Sequence, residues 1–266
     1  MPPAFAPKSG VGDESIPTEF RHLGSVFLRS QDQKLQLKLF QWDMQANLQI
    51  ERFYIGGEFG RIGNGQDIAL LDSFFSDQGV KKILKLPSCS PDIACALMYK
   101  ELKTTVTTCA FFDKILGSNI VSRTGVIRRC LNEYHNEISI DDLLKKMMVE
   151  SDNDENNIFT NVERQEFIYH IFRSVVVGGS LAQADENIFS YISATKSIYK
   201  GLLAVIKKPS NPNGLEITSR VYQVRCPAMS HSSLFLTKSS YNSCYVIVDP
   251  KKRLITAWHY SYQSFW

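Results

Sequence analysis

Most of the features that would assign this sequence quickly are missing. Nothing in its 266 residues approaches the ~20 consecutive apolar positions of a membrane-spanning helix. The first residues, MPPAFAPKSGVGDESIP, contain no apolar signal core. No Asn-x-Ser/Thr acceptor with a permitted middle residue occurs. The cysteines (Cys89, Cys95, Cys109, Cys130, Cys226, Cys244) are widely spaced, with no Cys-x-x-Cys pair. That spacing argues against a disulfide scaffold and for reduced, mostly buried thiols in a cytosolic protein. An excess of charge of one sign is absent too, since the net charge is only +3. Basic residues come in dispersed groups such as Lys81-Lys82, Arg128-Arg129, Lys145-Lys146, Lys207-Lys208 and Lys251-Lys252-Arg253. A nucleic-acid binder would gather them on one face. These absences point away from nucleic acid and from a membrane.

Catalytic signatures are also lacking. There is no G-x-S-x-G elbow and no recognised cysteine-protease motif. Neither glycine-rich stretch has a nucleotide order. GGEFGRIGNGQD contains no G-x-G-x-x-G, and Gly178-Gly179 lack the spacing and lysine of a phosphate loop. A phosphate cradle also needs glycines ahead of a helix, and this pair follows one. The expected role of Gly178 and Gly179 is a helix stop with close packing.

What is present reads as a packed protein, 44% hydrophobic and 21% charged. Residues 1–17 read as a flexible tail and 18–266 as one α+β globular domain with a central helical region and antiparallel strands. Helices are expected from Ser30, with Gln33 completing a capping box; from Ser90; over TGVIRRCLNEY; over SIDDLLKKMM; over TNVERQEFIYHIFRSVVV; and over NIFSYISATKSIYKGLLAVI. The Thr160 and Glu163 pair is expected to cap the fifth of these. Strands are expected at LQIERFYI, VKKILKL, TTVTTCAFF, LEITSRVYQV, CYVIVD and LITAWHYSY. The last two should pair as a C-terminal hairpin across Asp249-Pro250-Lys251-Lys252.

Several residue groups are candidates for sites. Asp152, Asp154, Asn156 and Glu163 fall at positions 1, 3, 5 and 12 of a calcium-binding loop, but Asn157 stands where that loop has glycine. The bland alternative is an acidic connector followed by a helix cap. His135 and Glu137 could begin a two-histidine-one-carboxylate site with His170, His231 or His259. Asp141-Asp142 are accounted for by the dipole of a helix's first turn. On a strand, Trp258, Tyr260 and Tyr262 share one face. Core packing is the plain reading of that row, and a partner surface is the other. Phe265 and Trp266 would extend it as a docking tail.

ERQEFIYHIFRSVVVGGSLAQ, YISATKSIYKGLLAV and YVIVDPKKRLITAWHYSY together resemble the cilia- and flagella-associated protein 300 family. KLFQWDM, DSFFSD and MMVES fall in the matching order, so the likeness runs from about Phe20 to about Tyr262. The resemblance implies a non-enzymatic cytoplasmic factor, without a cofactor, for assembly or ciliary transport of axonemal dynein arms. It implies partners among other dynein assembly factors, notably kintoun-type PIH-domain proteins, axonemal dynein subunits and the intraflagellar transport machinery. It implies a location in the cytoplasm and, in part, in the cilium or flagellum. The alternatives are a calcium-responsive module through the 152–163 loop or a cryptic metal-dependent enzyme.

Overall fold

A computed structural model describes residues 19–26, 33–57, 67–87, 97–150, 158–208, 211–226 and 234–263. Its centre is a six-stranded antiparallel sheet with strand order β1-β2-β10-β9-β8-β3. The strands are β1 (Phe20–Ser25), β2 (Leu48–Ile55), β3 (Met98–Leu102), β8 (Arg220–Arg225), β9 (Ser243–Asp249) and β10 (Leu254–Tyr260). Two hairpins stand outside it: β4 (Arg129–His135) with β5 (Ile138–Asp142), and β6 (Val205–Lys208) with β7 (Asn211–Ile217).

The central strands explain the layering. β9 and β10 are almost continuously apolar, and such strings need cover on both faces. Tyr245, Ile247, Trp258 and Tyr260 face one layer, made by α1 (Gln33–Gln41), α5 (Leu143–Val149), α6 (Phe167–Val177) and α7 (Ile188–Leu202). Cys244, Val246, Val248, Ile255 and Ala257 face the other, where α2 (Asp67–Ser76) and α3 (Gln78–Ile83) bring Leu70, Leu71, Phe74, Phe75 and Val80. A short α4 (Asp113–Leu116) joins the first layer through Ile115. A buried polar contact ties the second layer to the sheet. Asp67, in the first turn of α2, accepts the Tyr222 hydroxyl and pairs with Arg220 Nη2 at 2.8 Å.

Local signals set most helix ends. Asp77 accepts from Val80 N at 2.8 Å, Asp142 from Lys145 N at 2.7 Å, and Asn187 from Phe189 N at 3.0 Å, so each starts a helix by taking up a free amide.

The α+β class, the long α7, strand β2 and the C-terminal hairpin are as the sequence indicates. Other elements differ. VKKILKL lies within α3 and the turn after it, because Asp77 caps a helix there. MYKEL, expected in a helix from Ser90, is β3 on the sheet edge. TTVTTCAFF is a bend followed by a 3-10 turn at Cys109–Phe112. The Glu166 carboxylate takes both Thr105 N, at 3.0 Å, and Thr105 Oγ1, so that stretch has no ladder to join. TGVIRRCLNEY holds β4 rather than a helix, and SIDD forms β5 ahead of the shorter α5. LEITSRVYQV is divided between β7 and β8 at Thr218-Ser219. Helix α6 starts at Phe167, with a separate 3-10 turn at Glu163–Gln165 before it. Ser30 with its capping box lies outside the described residues.

Candidate functional site

The glycine pair sits where the end of α6 crosses the end of α1. Gly178 terminates α6 at φ 64 and ψ −144, and its amide donates to Ser174 O at 2.9 Å. A Cβ on Gly178 would lie 2.7 Å from Trp42 O and 2.8 Å from Ala182 Cβ. One on Gly179 would lie 2.4 Å from Asp43 O. The Gly179 amide donates to Trp42 O at 2.9 Å. Both glycine amides are therefore taken by backbone carbonyls, which leaves no nest for a phosphate.

The following residues wrap the same corner. Leu181 N donates to Asp43 Oδ2 at 3.1 Å, and Gln183 N to Gln41 O at 2.9 Å. Asp185 accepts Trp42 Nε1 at 2.9 Å and Lys38 Nζ at 2.7 Å. The Trp42 and Tyr191 rings stack at 4.8 Å. Tyr260 and Tyr262 reach this knot from the sheet, Tyr260 through Gly178 O at 3.4 Å and Tyr262 through the Ser180 hydroxyl.

That placement corrects the reading of Trp258, Tyr260 and Tyr262 as a docking row. All are buried, because β10 is an inner strand and the row faces the first helical layer. Phe265 and Trp266 lie outside the described residues, as do Asp152, Asp154, Asn156 and His231. Glu163 is already engaged. It accepts from Thr160 N at 2.8 Å, Thr160 Oγ1 at 2.9 Å and Lys114 Nζ at 2.5 Å. The Thr160–Glu163 box is thus real, and it heads the 3-10 turn rather than α6. Glu137 holds the loop opposite the β4–β5 turn, accepting from Ser239 Oγ at 2.7 Å and from Ser240 N. His135 is exposed on β4 and is not joined by His170 or His259. Among the described residues no group of His, Cys, Asp and Glu is placed to hold a metal ion.

The most perturbed histidine lies between α6 and the sheet. Burial lowers the His170 imidazole from 6.5 to about 3, and the charges of Arg173, Arg225 and Lys100 add to the effect. Its Nδ1 lies 3.4 Å from the Tyr245 hydroxyl. A lowered histidine pKa keeps the folded form neutral while the unfolded chain takes up a proton below 6.5. Stability is therefore expected to fall as pH drops from 6.5 toward 3. Burial of His259 acts in the same direction. His170→Gln should flatten this acid limb in urea titrations run from neutral pH downward; a limb identical to that of the parent would contradict the burial.

One cleft, of about 200 Å³, opens at the end of α7 between Arg52, Lys200, Lys252, Asp249 and Thr256. Arg52, Thr256 and Asp249 are already committed. Arg52 donates to Thr256 Oγ1 and Gly201 O, each at 3.2 Å, and Asp249 accepts Lys251 N at 3.1 Å and Lys252 N at 3.2 Å. It is smaller than the ~300–1,000 Å³ typical of small-molecule sites.

Large apolar side chains on regular elements stand out more. Leu131 is 90% exposed and Tyr134 77% on β4, and Phe40 is 70% exposed and Leu37 67% on α1. Sequence reasoning missed them. In KLQLKLFQ the signal was present: Leu35 and Leu39 fill the buried face, so Leu37 and Phe40 are left over.

The family model of cilia- and flagella-associated protein 300 matches residues 17–260. A curated protein of that description from Paramecium tetraurelia is 27% identical over 240 residues, 88% of this chain and 90% of its own. Another from Chlamydomonas reinhardtii is 24% identical over 245 residues, 88% of this chain and 94% of its own. No solved structure matches the chain significantly.

Proposed function

Since the chain belongs to the cilia- and flagella-associated protein 300 family, we propose that it is a non-enzymatic scaffold or adaptor for axonemal dynein arms, serving their assembly, their ciliary transport or both. The partners in this reading are other dynein assembly factors, including a kintoun-type PIH-domain protein, dynein subunits and the intraflagellar transport machinery. The protein meets them in the cytoplasm and accompanies them in part to the cilium.

The observation that carries the reading is the exposure of Leu131 and Tyr134 on an ordered hairpin. β5 anchors that hairpin through buried Ile138 and Ile140, so a rigid base presents the two side chains to solvent. Rigid exposed apolar groups of this kind act as anchors in protein interfaces.

In a pull-down from ciliated-cell cytosol, the parent chain should recover dynein chains or assembly factors. Leu131→Ser with Tyr134→Ser should reduce recovery at least about tenfold, the effect of losing an interface hot spot. Both positions are exposed, so folding should be unaffected. Recovery of neither class of partner by the parent chain would overturn the proposal.

A further inference from the structure

A second surface carries charge instead of apolar groups. β3 and β8 pair with Met98 opposite Arg225 and Lys100 opposite Gln223. Lys100 and Arg225 are therefore diagonal neighbours on one face of the sheet, about 7–8 Å apart. That face is the one bearing Val221 and Tyr245, over which α6 lies. From α6, Arg173 donates its Nε to Met148 O at 3.0 Å, which steadies the guanidinium beside the same corner. His170 and Tyr245 lie between helix and sheet there, their rings 5.6 Å apart. The charges of Lys100, Arg173 and Arg225 all act on this histidine and, after burial, lower its pKa further.

Among the described residues no carboxylate comes within ion-pair distance of Lys100, Arg173 or Arg225. Glu101, next along β3, lies on the opposite face, where its charge acts on Tyr222. Several cations elsewhere are paired, in contrast: Lys38 with Asp185, Lys114 with Glu163, Lys146 with Glu133, and Arg220 with Asp67.

We infer that Lys100, Arg225 and Arg173 form a docking face for an acidic peptide segment of a partner protein. Lys100 and Arg225 are both exposed, and their spacing along the sheet suits an extended peptide. Alternate side chains of an extended peptide repeat at about 6.6–6.8 Å, close to that separation. Met98, half exposed on the same face, offers an apolar contact beside the cations. Charge complementarity of this kind steers encounter and weakens with salt.

This inference rests on the scaffold reading. It is tested with the full chain and a fluorescent peptide of about ten residues, alternating Glu and Ser, set against its Gln-Ser counterpart. Polarisation should show binding of the Glu peptide that falls with salt, with at least about tenfold weaker affinity for Lys100→Glu/Arg225→Glu. Lys82→Glu/Lys251→Glu, carrying the same change in net charge, should bind like the parent. Equal binding of the two peptides, an unaffected Lys100→Glu/Arg225→Glu variant, or a control pair as weak as it would overturn the site. So would binding of phosphatidylserine vesicles or an RNA oligonucleotide in place of the peptide. If the parent captures dynein factors and Lys100→Glu/Arg225→Glu captures them equally, this site fails while the scaffold stands. If the parent captures none, the scaffold reading itself fails.

Discussion

Trp258→Ala is expected to lower the unfolding free energy by about 3–5 kcal/mol, the range for truncating a fully buried large aromatic. The ring is 0% exposed, at the middle of β10. In register it stands between Ile50 of β2 and Tyr245 of β9, and it meets the Tyr245 ring edge-on at 6.4 Å. Its Nε1 donates to Ser243 Oγ at 3.1 Å, so even the polar atom of the ring has an internal partner. Alanine would leave a cavity walled by the sheet below and helices above, and neither layer can collapse into it cheaply. Urea unfolding of parent and variant measures the loss. A change below about 1 kcal/mol, like that of an ordinary surface position, would show that the row is not core.

Gly178→Ala is expected to cost about 2–5 kcal/mol, from two additive sources. An L side chain at φ 64 and ψ −144 is held in a region nearly closed to residues other than glycine. The new methyl group also meets Trp42 O and Ala182 Cβ below 3 Å, and the first of these is backbone. Gly179→Ala adds a steric cost alone, against Asp43 O at 2.4 Å. Gly201 of α7 supplies the contrast, since nothing lies within 4 Å of a Cβ there. Gly201→Ala should be neutral or stabilising by up to about 1 kcal/mol, through helix propensity. Thermal unfolding of the three variants separates the cases. If Gly178→Ala proves as mild as Gly201→Ala, the crossing of α1 and α6 is looser than described.

These variants also mark how far the sequence could be read. The end of α6 was legible because glycine after an apolar helix has one common physical use. The hairpin β9–β10 was legible because β-branched and aromatic residues flank a short polar turn. TGVIRRCLNEY misled because Val126, Ile127, Leu131 and Tyr134 recur at nearly helical intervals. Leu131 and Tyr134 face solvent, so that recurrence is no record of a buried face. VKKILKL misled for another reason. Its hydrophobic pattern suits strand or helix, and the single carboxylate of Asp77, one turn earlier, decides between them. The partner-surface alternative for β10 stayed open because a layer was missing. With α2 unrecognised, one helical layer had to serve both faces of the final hairpin, so core packing of Trp258, Tyr260 and Tyr262 was the plain reading but not the only one. The basic face was not legible at all, since Lys100, Arg173 and Arg225 come together only through strand register and the helix above.

The place of β10 within the sheet has a bearing on biosynthesis. It is made after the other strands of that sheet, yet it bridges β2 and β9, joining Arg52 to Thr256 across 204 positions of sequence. On the ribosome, the β1–β2 ladder and the β3–β8–β9 ladder remain two separate half-sheets with open inner edges until Leu254–Tyr260 emerges. Such a nascent chain exposes pairing edges from the synthesis of β2 until that of β10, the situation in which chaperones are most needed.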